Sequence, residues 1–182
     1  MDIGKTLYVT DRRMWRDWLI KHHASASEIW LVTYRKHTGI PTLPYNDAVE
    51  EALCFGWIDS IVKRLDDDRL AQRYSPRRKG SNLSPMNRER VKTLIREKRM
   101  TEAGLSKIRE KLTEDFVIPK DILLVLKKDP AVWKHFTGFP DSYVRIRIGW
   151  IEGARRRPDE FIKRLKYFVR MTARNKRFGM VQ

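Results

Sequence analysis

A single cysteine, Cys54, stands in this chain of 182 residues. No intrachain disulfide can form, so a reducing compartment suits the protein. No apolar run approaches the roughly 20 residues that span a bilayer. The first residues, Met1 to Thr6, lack the charged-then-apolar order of a signal peptide. The expected location is therefore the cytoplasm, without membrane insertion.

Equally absent are the short motifs that announce a reaction: there is no Gly-rich phosphate cradle, no G-x-S-x-G and no H-E-x-x-H. His22 and His23 are adjacent, so a helix would point them in different directions, and His37 lies in a distant loop. A zinc site would want a spacing such as His-x3-His. Neither a metal nor a cofactor is expected, and whether the chain is an enzyme stays open.

Negative charge is scarce. Asp and Glu number 23 against 39 Lys and Arg, a formal net charge of +16. The excess is uneven: residues 1–60 carry −1, 61–115 carry +7 and 116–182 carry +10. A field of this sign attracts polyanions, including nucleic acid. No helix-turn-helix, RNP or zinc-finger signature accompanies it, so contacts would be to phosphates, through Arg155, Arg156, Arg157, Arg170 and Arg174.

What is plentiful is apolar area. Hydrophobic residues make up 41% of the chain, with six Trp, seven Phe and six Tyr, enough to offset chain entropy in a folded protein. Trp15, Trp18, Leu19 and His22 follow the spacing of an amphipathic helix over 11–23, with Thr10 placed to cap it. Ile29 to Tyr34 is β-branched and aromatic, a strand. Asn46 is placed to cap a helix through Cys54 that Gly56 ends. Ile58 to Leu65 and Arg69 to Tyr74 flank Asp66-Asp67-Asp68 as an antiparallel hairpin. The three carboxylates fit a turn better than a Ca²⁺ loop.

Ser84 and Pro85 start one helix and Thr101 the next. Beyond Phe116 the expectation is a helix from Asp121 to Lys128, a turn from Pro130 to Phe136, a helix with Val144, Ile148 and Ile151, and a last helix from Asp159 to about Lys176. The fold class predicted is α+β and mostly helical, with a small antiparallel sheet in a region 1–115 and a basic helical region 116–182.

Two segments concentrate chemistry: Glu51 to Asp59, and Ser75 to Asn87. If the hairpin brings their ends together, Trp57 and Tyr34 floor a cleft in which Asp59, Arg77, Lys79, Ser81 and Asn87 hold a small anionic or polar ligand. Asp59 could serve there as general base with Arg77 or Lys79 opposing negative charge, as in a hydrolase or transferase. The alternative is structural, with Asp59 capping a backbone amide or pairing with Arg77. Cys54 is a candidate nucleophile only if its thiol pKa is lowered; a buried packing role is the other reading.

The pattern Y-x-x-A-V-E-E-A-L-C-F-G-W-I-D over Tyr45 to Asp59, the P-R-R-K of Pro76 to Lys79, Ser81, Ser84 and Asn87, and M-T-x-A-G over Met100 to Gly104 resemble the bacteriocin-protection family, also called YdeI/OmpD-associated. The D-P-A of Asp129 to Ala131 with Phe136, and W-I-x-x-A over Trp150 to Ala154, continue the resemblance. It implies a link to tolerance of antibacterial agents or stress and assigns no reaction.

Overall fold

The computed structural model describes residues 2–78, 81–112 and 116–179. It is an α+β protein, mostly helical, and divides into two compact units: residues 1–82 with 90–113, and residues 83–89 with 114–182. No helix among the described residues is long and apolar enough to cross a membrane.

The first unit is built on a four-stranded sheet of order β1-β2-β4-β3, from β1 (Thr6–Tyr8), β2 (Ile29–Tyr34), β3 (Trp57–Arg64) and β4 (Arg69–Pro76). β4 pairs antiparallel with both β2 and β3. β1 lies parallel to β2, so the sheet is mixed rather than purely antiparallel. β1 has only three residues, too few to show an alternating pattern, and its existence depends on the edge that β2 offers. Helix α1 (Arg12–His22) is capped by Asp11, whose Oδ1 accepts from Met14 N at 2.9 Å, one residue later than the expected Thr10. Asp and Thr are both good caps; the one in extended conformation facing the free amides fills the role.

Trp15 and Leu19 of α1 are fully buried. The Trp15 indole donates to the Ala48 carbonyl of α2 (Tyr45–Cys54) at 3.0 Å, satisfying its polar edge inside the core. α2 starts after Pro44 rather than at an Asn46 cap. Its C-terminus is closed by Gly56 at φ +72°. A Cβ on that glycine would stand 2.8 Å from the Ala103 carbonyl oxygen, so both conformation and space require glycine. The freed Cys54 carbonyl accepts from Thr101 N at 3.1 Å and from Thr101 Oγ1 at 2.6 Å. Thr101 Oγ1 in turn accepts from Gly104 N at the start of α4 (Glu102–Leu112), the capping role expected of it. The Asp66 to Asp68 turn also behaves as expected, with Asp66 Oδ1 accepting from Asp68 N and Arg69 N.

Helix α3 (Pro85–Arg96) begins in the second unit and continues in the first; Ser84 Oγ accepts from Asn87 N at 3.2 Å, as its cap position predicts. The rest of the second unit is helical: α5 (Lys120–Lys127), α6 (Pro130–Thr137), α7 (Asp141–Glu152) and α8 (Pro158–Ala173). The segment from Pro130, expected as a turn, is a helix. Asp129 Oδ1 accepts from Ala131 N and Val132 N while Pro130 fills the first helical position, where its missing N–H costs nothing. Ile122, Leu126, Val132, Phe136, Ile151 and Phe168 form the core of this unit.

Candidate functional site

The segment Glu50-Glu51-Ala52-Leu53-Cys54 carries a charge network that its sequence conceals. Glu51 is buried, at 1% exposure, because the last turn of α2 is enclosed on every side, with Ala52, Leu53 and Cys54 buried as well. A carboxylate there requires counter-charge. Arg16 donates to Oε2 at 2.7 Å and Arg99 to Oε1 at 2.5 Å, with Arg12 Nε 3.8 Å away. Arg12 also pairs with Asp47 and with Glu50, the latter at 2.8 Å. Arg99 reaches Glu50 and Glu97 too, so three arginines meet four carboxylates. Sequence reasoning missed this because the cations come from α1 and from residue 99, far along the chain.

Cys54 lies under this network and is fully buried. Burial, and then the nearby Glu51 charge, push its thiol up to about 11. The nucleophile reading required the opposite shift; the sulfur is a protonated packing group.

Trp57 was expected at a pocket mouth and instead sits in the core at 1% exposure. The Gly56 turn starts β3 on the side facing α1, where the ring meets Trp18 edge-on at 5.7 Å and the indole donates to the His23 carbonyl at 3.1 Å. Tyr34 is separated by register. It pairs with Arg69, whereas Asp59 pairs with Tyr74, five residues away along β4. At ~3.3 Å per residue that is about 17 Å, too far to floor the same cleft. Tyr34 packs edge-on against Tyr8. Asn87 is buried and belongs to the second unit, while Lys79 lies outside the described residues.

What the first unit does gather is Asp59, Tyr45, Tyr74, Arg77 and Ser81. Asp59 stands beside an irregularity where β3 accommodates an extra residue between the pairs Asp59–Tyr74 and Val62–Gln72, as bulged strands do when they redirect side chains. Its Oδ2 accepts from the Tyr45 hydroxyl at 2.9 Å. Burial and this bond push the Tyr45 phenol up to about 12.

Arg77 follows the end of β4, its amide donating to the Gly56 carbonyl at 2.8 Å. Its side chain is 5% exposed. Nη2 donates to the Asn82 carbonyl at 2.9 Å and to the Ser81 carbonyl at 3.5 Å, so Ser81 contributes its backbone rather than its hydroxyl. Among the described residues Nε has no hydrogen-bond partner. Among the described residues no carboxylate pairs with this guanidinium: the direct Asp59–Arg77 ion pair suggested by the hairpin is not made. Burial lowers the Arg77 pKa, and the more distant Asp59 charge only partly offsets it.

In the second unit the cations proposed for nucleic acid divide. Arg155 is engaged, donating to Asp121 Oδ2 at 2.5 Å and pairing with Glu152, and it covers the Phe161 ring at 4.3 Å. These two carboxylates raise its pKa further, and it is not available for phosphates without breaking both pairs. Arg145 is likewise taken by Glu89, in two bonds of 2.7 Å. Arg156, Arg157, Arg170 and Arg174 are exposed.

A groove of about 730 Å³ runs along α8. Trp150 and Tyr167 line it together with Ile162, and the positive charge of Lys163, Arg164, Lys166 and Arg170 outnumbers the carboxylates of Asp159 and Glu160 that also line it. Trp150 belongs to the segment that carries the family resemblance, and Lys163 lies off the apolar stripe of α8 (Phe161, Leu165, Phe168); Tyr167 and Lys166 carry no sequence signal that sets them apart.

Comparison with known proteins divides the chain near the same place. Residues 7–107 match the model of a domain of unknown function, DUF8412. Residues 115–175 match the model described as bacteriocin-protection, YdeI or OmpD-associated. The resemblance expected over most of the chain is thus carried by the helical C-terminal part, while the segment from Tyr45 to Gly104 falls under the other description. No curated protein and no solved structure matches the chain. The chain belongs to the DUF8412 family over more than half its length and carries a bacteriocin-protection, YdeI or OmpD-associated region at its helical end.

Proposed function

We propose that the first unit binds a small anionic ligand at Arg77, with Asp59 and Tyr45 beside it. The observation that supports this reading is the state of the Arg77 guanidinium: 5% exposed, with no carboxylate partner among the described residues and Nε left without a hydrogen bond. Arginines are seldom buried unpaired, because desolvating the charge costs several kcal/mol, on the order of what an anion on its planar fork would restore. A carboxylate or phosphate group offers such an anion. Asp59, engaged by Tyr45, would orient a polar part of the ligand.

This arrangement favours binding over turnover. Cys54 is buried, with its thiol pushed up to about 11, and one oxygen of Asp59 is taken by the Tyr45 hydroxyl. A hydrolase or transferase acting through Asp59 and Arg77 would work through the other oxygen, Oδ1. The test is a thermal-shift screen of the full chain against phosphate, carboxylic acids and sugar phosphates, run on wild type and Arg77→Met. A ligand at about 100 times its Kd stabilises by ~2.7 kcal/mol, a rise of several degrees. The shift should vanish in Arg77→Met; an unchanged shift in that variant removes Arg77 from the site.

A second reading is weak polyanion binding by the second unit, favoured by the exposure of Arg156, Arg157, Arg170 and Arg174 and by the net +10 of residues 116–182. Retardation of short duplexes at low salt, lost as salt is raised, tests it.

A further inference from the structure

The groove on α8 combines three things that point to one class of ligand. The first is a row of cations on one helix, Lys163, Lys166 and Arg170. At 1.5 Å of rise per residue they stand about 4.5 and 6 Å apart along the axis, a ladder suited to successive phosphate oxygens. Lys163 and Lys166 are exposed, and neither makes an ion pair among the described residues.

The second is a set of flat surfaces at the same place. Arg164 stacks on Trp150 at 4.8 Å and Arg170 on Tyr167 at 5.1 Å. Arg164 is fixed there by Glu160, at 2.7 Å from Nε, and by the Trp150 carbonyl, at 2.7 Å from Nη1. Rings and held guanidiniums are the planes on which nucleobases stack.

The third is a buried charge behind the wall. Arg147 is 7% exposed, its Nε has no partner, and no carboxylate pairs with it among the described residues. It is boxed by Tyr143, Trp150 and Phe178, at 5.7, 5.9 and 4.8 Å from the three ring centroids. Cation–π contact compensates part of its desolvation. Among the described residues no carboxylate offsets the rest of its charge behind Trp150, which also lines the groove. The volume of about 730 Å³ falls within the ~300–1,000 Å³ range of small-ligand sites.

We infer that this groove binds a nucleotide unit, its phosphates on Lys163, Lys166 and Arg170 and its base against the Trp150 and Tyr167 side. The unit could be a free nucleotide or part of a single strand, since both present the same phosphate and base. This rests on the polyanion reading and deepens it by moving the contacts from Arg156, Arg157 and Arg174 into a built groove.

The experiment uses the full chain and fluorescence anisotropy of a labelled oligothymidylate at low salt, with ADP as competitor. In the variant K163E/K166E/R170E affinity should fall by at least about tenfold, and the slope of log K against log salt should shrink by about 2, three contacts at ~0.7 each for a single strand. The matched control, K120E/K128E/K134E, reverses three exposed cations of the same unit outside the groove and should change affinity less than about twofold. Displacement by ADP assigns a free nucleotide; binding of the oligonucleotide without displacement assigns a strand. If the two triple variants weaken binding equally, the polyanion reading stands and the groove falls. If wild type binds neither probe, both fall.

Discussion

Arg99 and Arg16 grip opposite oxygens of Glu51, at 2.5 and 2.7 Å, and by doing so join α1, α2 and the approach to α4 through one buried carboxylate. Glu51→Gln keeps the shape, removes the charge and turns one of the two accepting oxygens into an NH2 donor that faces a guanidinium. Breaking a buried pair on one side costs ~3–5 kcal/mol. Chemical denaturation should show a loss of that size, against less than about 1 kcal/mol for the exposed pair partner Glu102, whose bond to Arg109 lies in solvent.

Gly56 gives a purely conformational prediction. At φ +72°, and with the Ala103 carbonyl 2.8 Å from where a Cβ would stand, Gly56→Ala should cost more than the ~1–2 kcal/mol of a left-handed residue alone. Denaturant midpoints of this variant and of Gly39→Ala, also at positive φ but with open space around it, separate the steric part from the conformational one.

Cys54 carries the pH dependence. Its thiol is pushed up to about 11 from an ordinary 9.0, chiefly by burial. A raised folded pKa means the thiol's contribution is intact below the ordinary value and is lost as pH rises from about 9 to about 11. Wild type should therefore lose more stability across that window than Cys54→Ala does. The same burial predicts that the native thiol resists alkylation at neutral pH and reacts once the chain is unfolded; rapid native labelling would contradict the assignment.

Much of the fold was legible because local chemistry and tertiary packing agree in it. Ile29 to Tyr34 is a strand by composition and by position, between β1 and β4. Ser84 and Thr101 cap helices because their hydroxyls face free amides. The segment from Pro130 is a helix rather than the expected turn because proline, one residue after the Asp129 cap, fills the first helical position.

The site was less legible, and for physical reasons. Tyr34 left it because strand register is set by hairpin pairing that residue types do not display. Trp57 left it because a single glycine turn decides which face the following residue takes. Arg77 remained for a reason invisible in sequence, the lack of a carboxylate partner among the described residues. Glu51 and Arg147 were overlooked because burial of a charge depends on partners brought from elsewhere in the chain.

The central claim is that the Arg77 guanidinium is held for an anion, and its Nε–H group reports on this directly. In a nitrogen-resolved NMR spectrum of the arginine side chains, with the resonance assigned by its loss in Arg77→Met, titration of inorganic phosphate or a carboxylic acid found by the thermal screen should move and sharpen the Arg77 Nε–H signal saturably. The surface arginines Arg13 and Arg156, both exposed, should shift only in proportion to ionic strength. An Arg77 Nε–H signal that stays fixed while Tm rises with the same ligand would contradict the account, because the ligand would then be bound elsewhere.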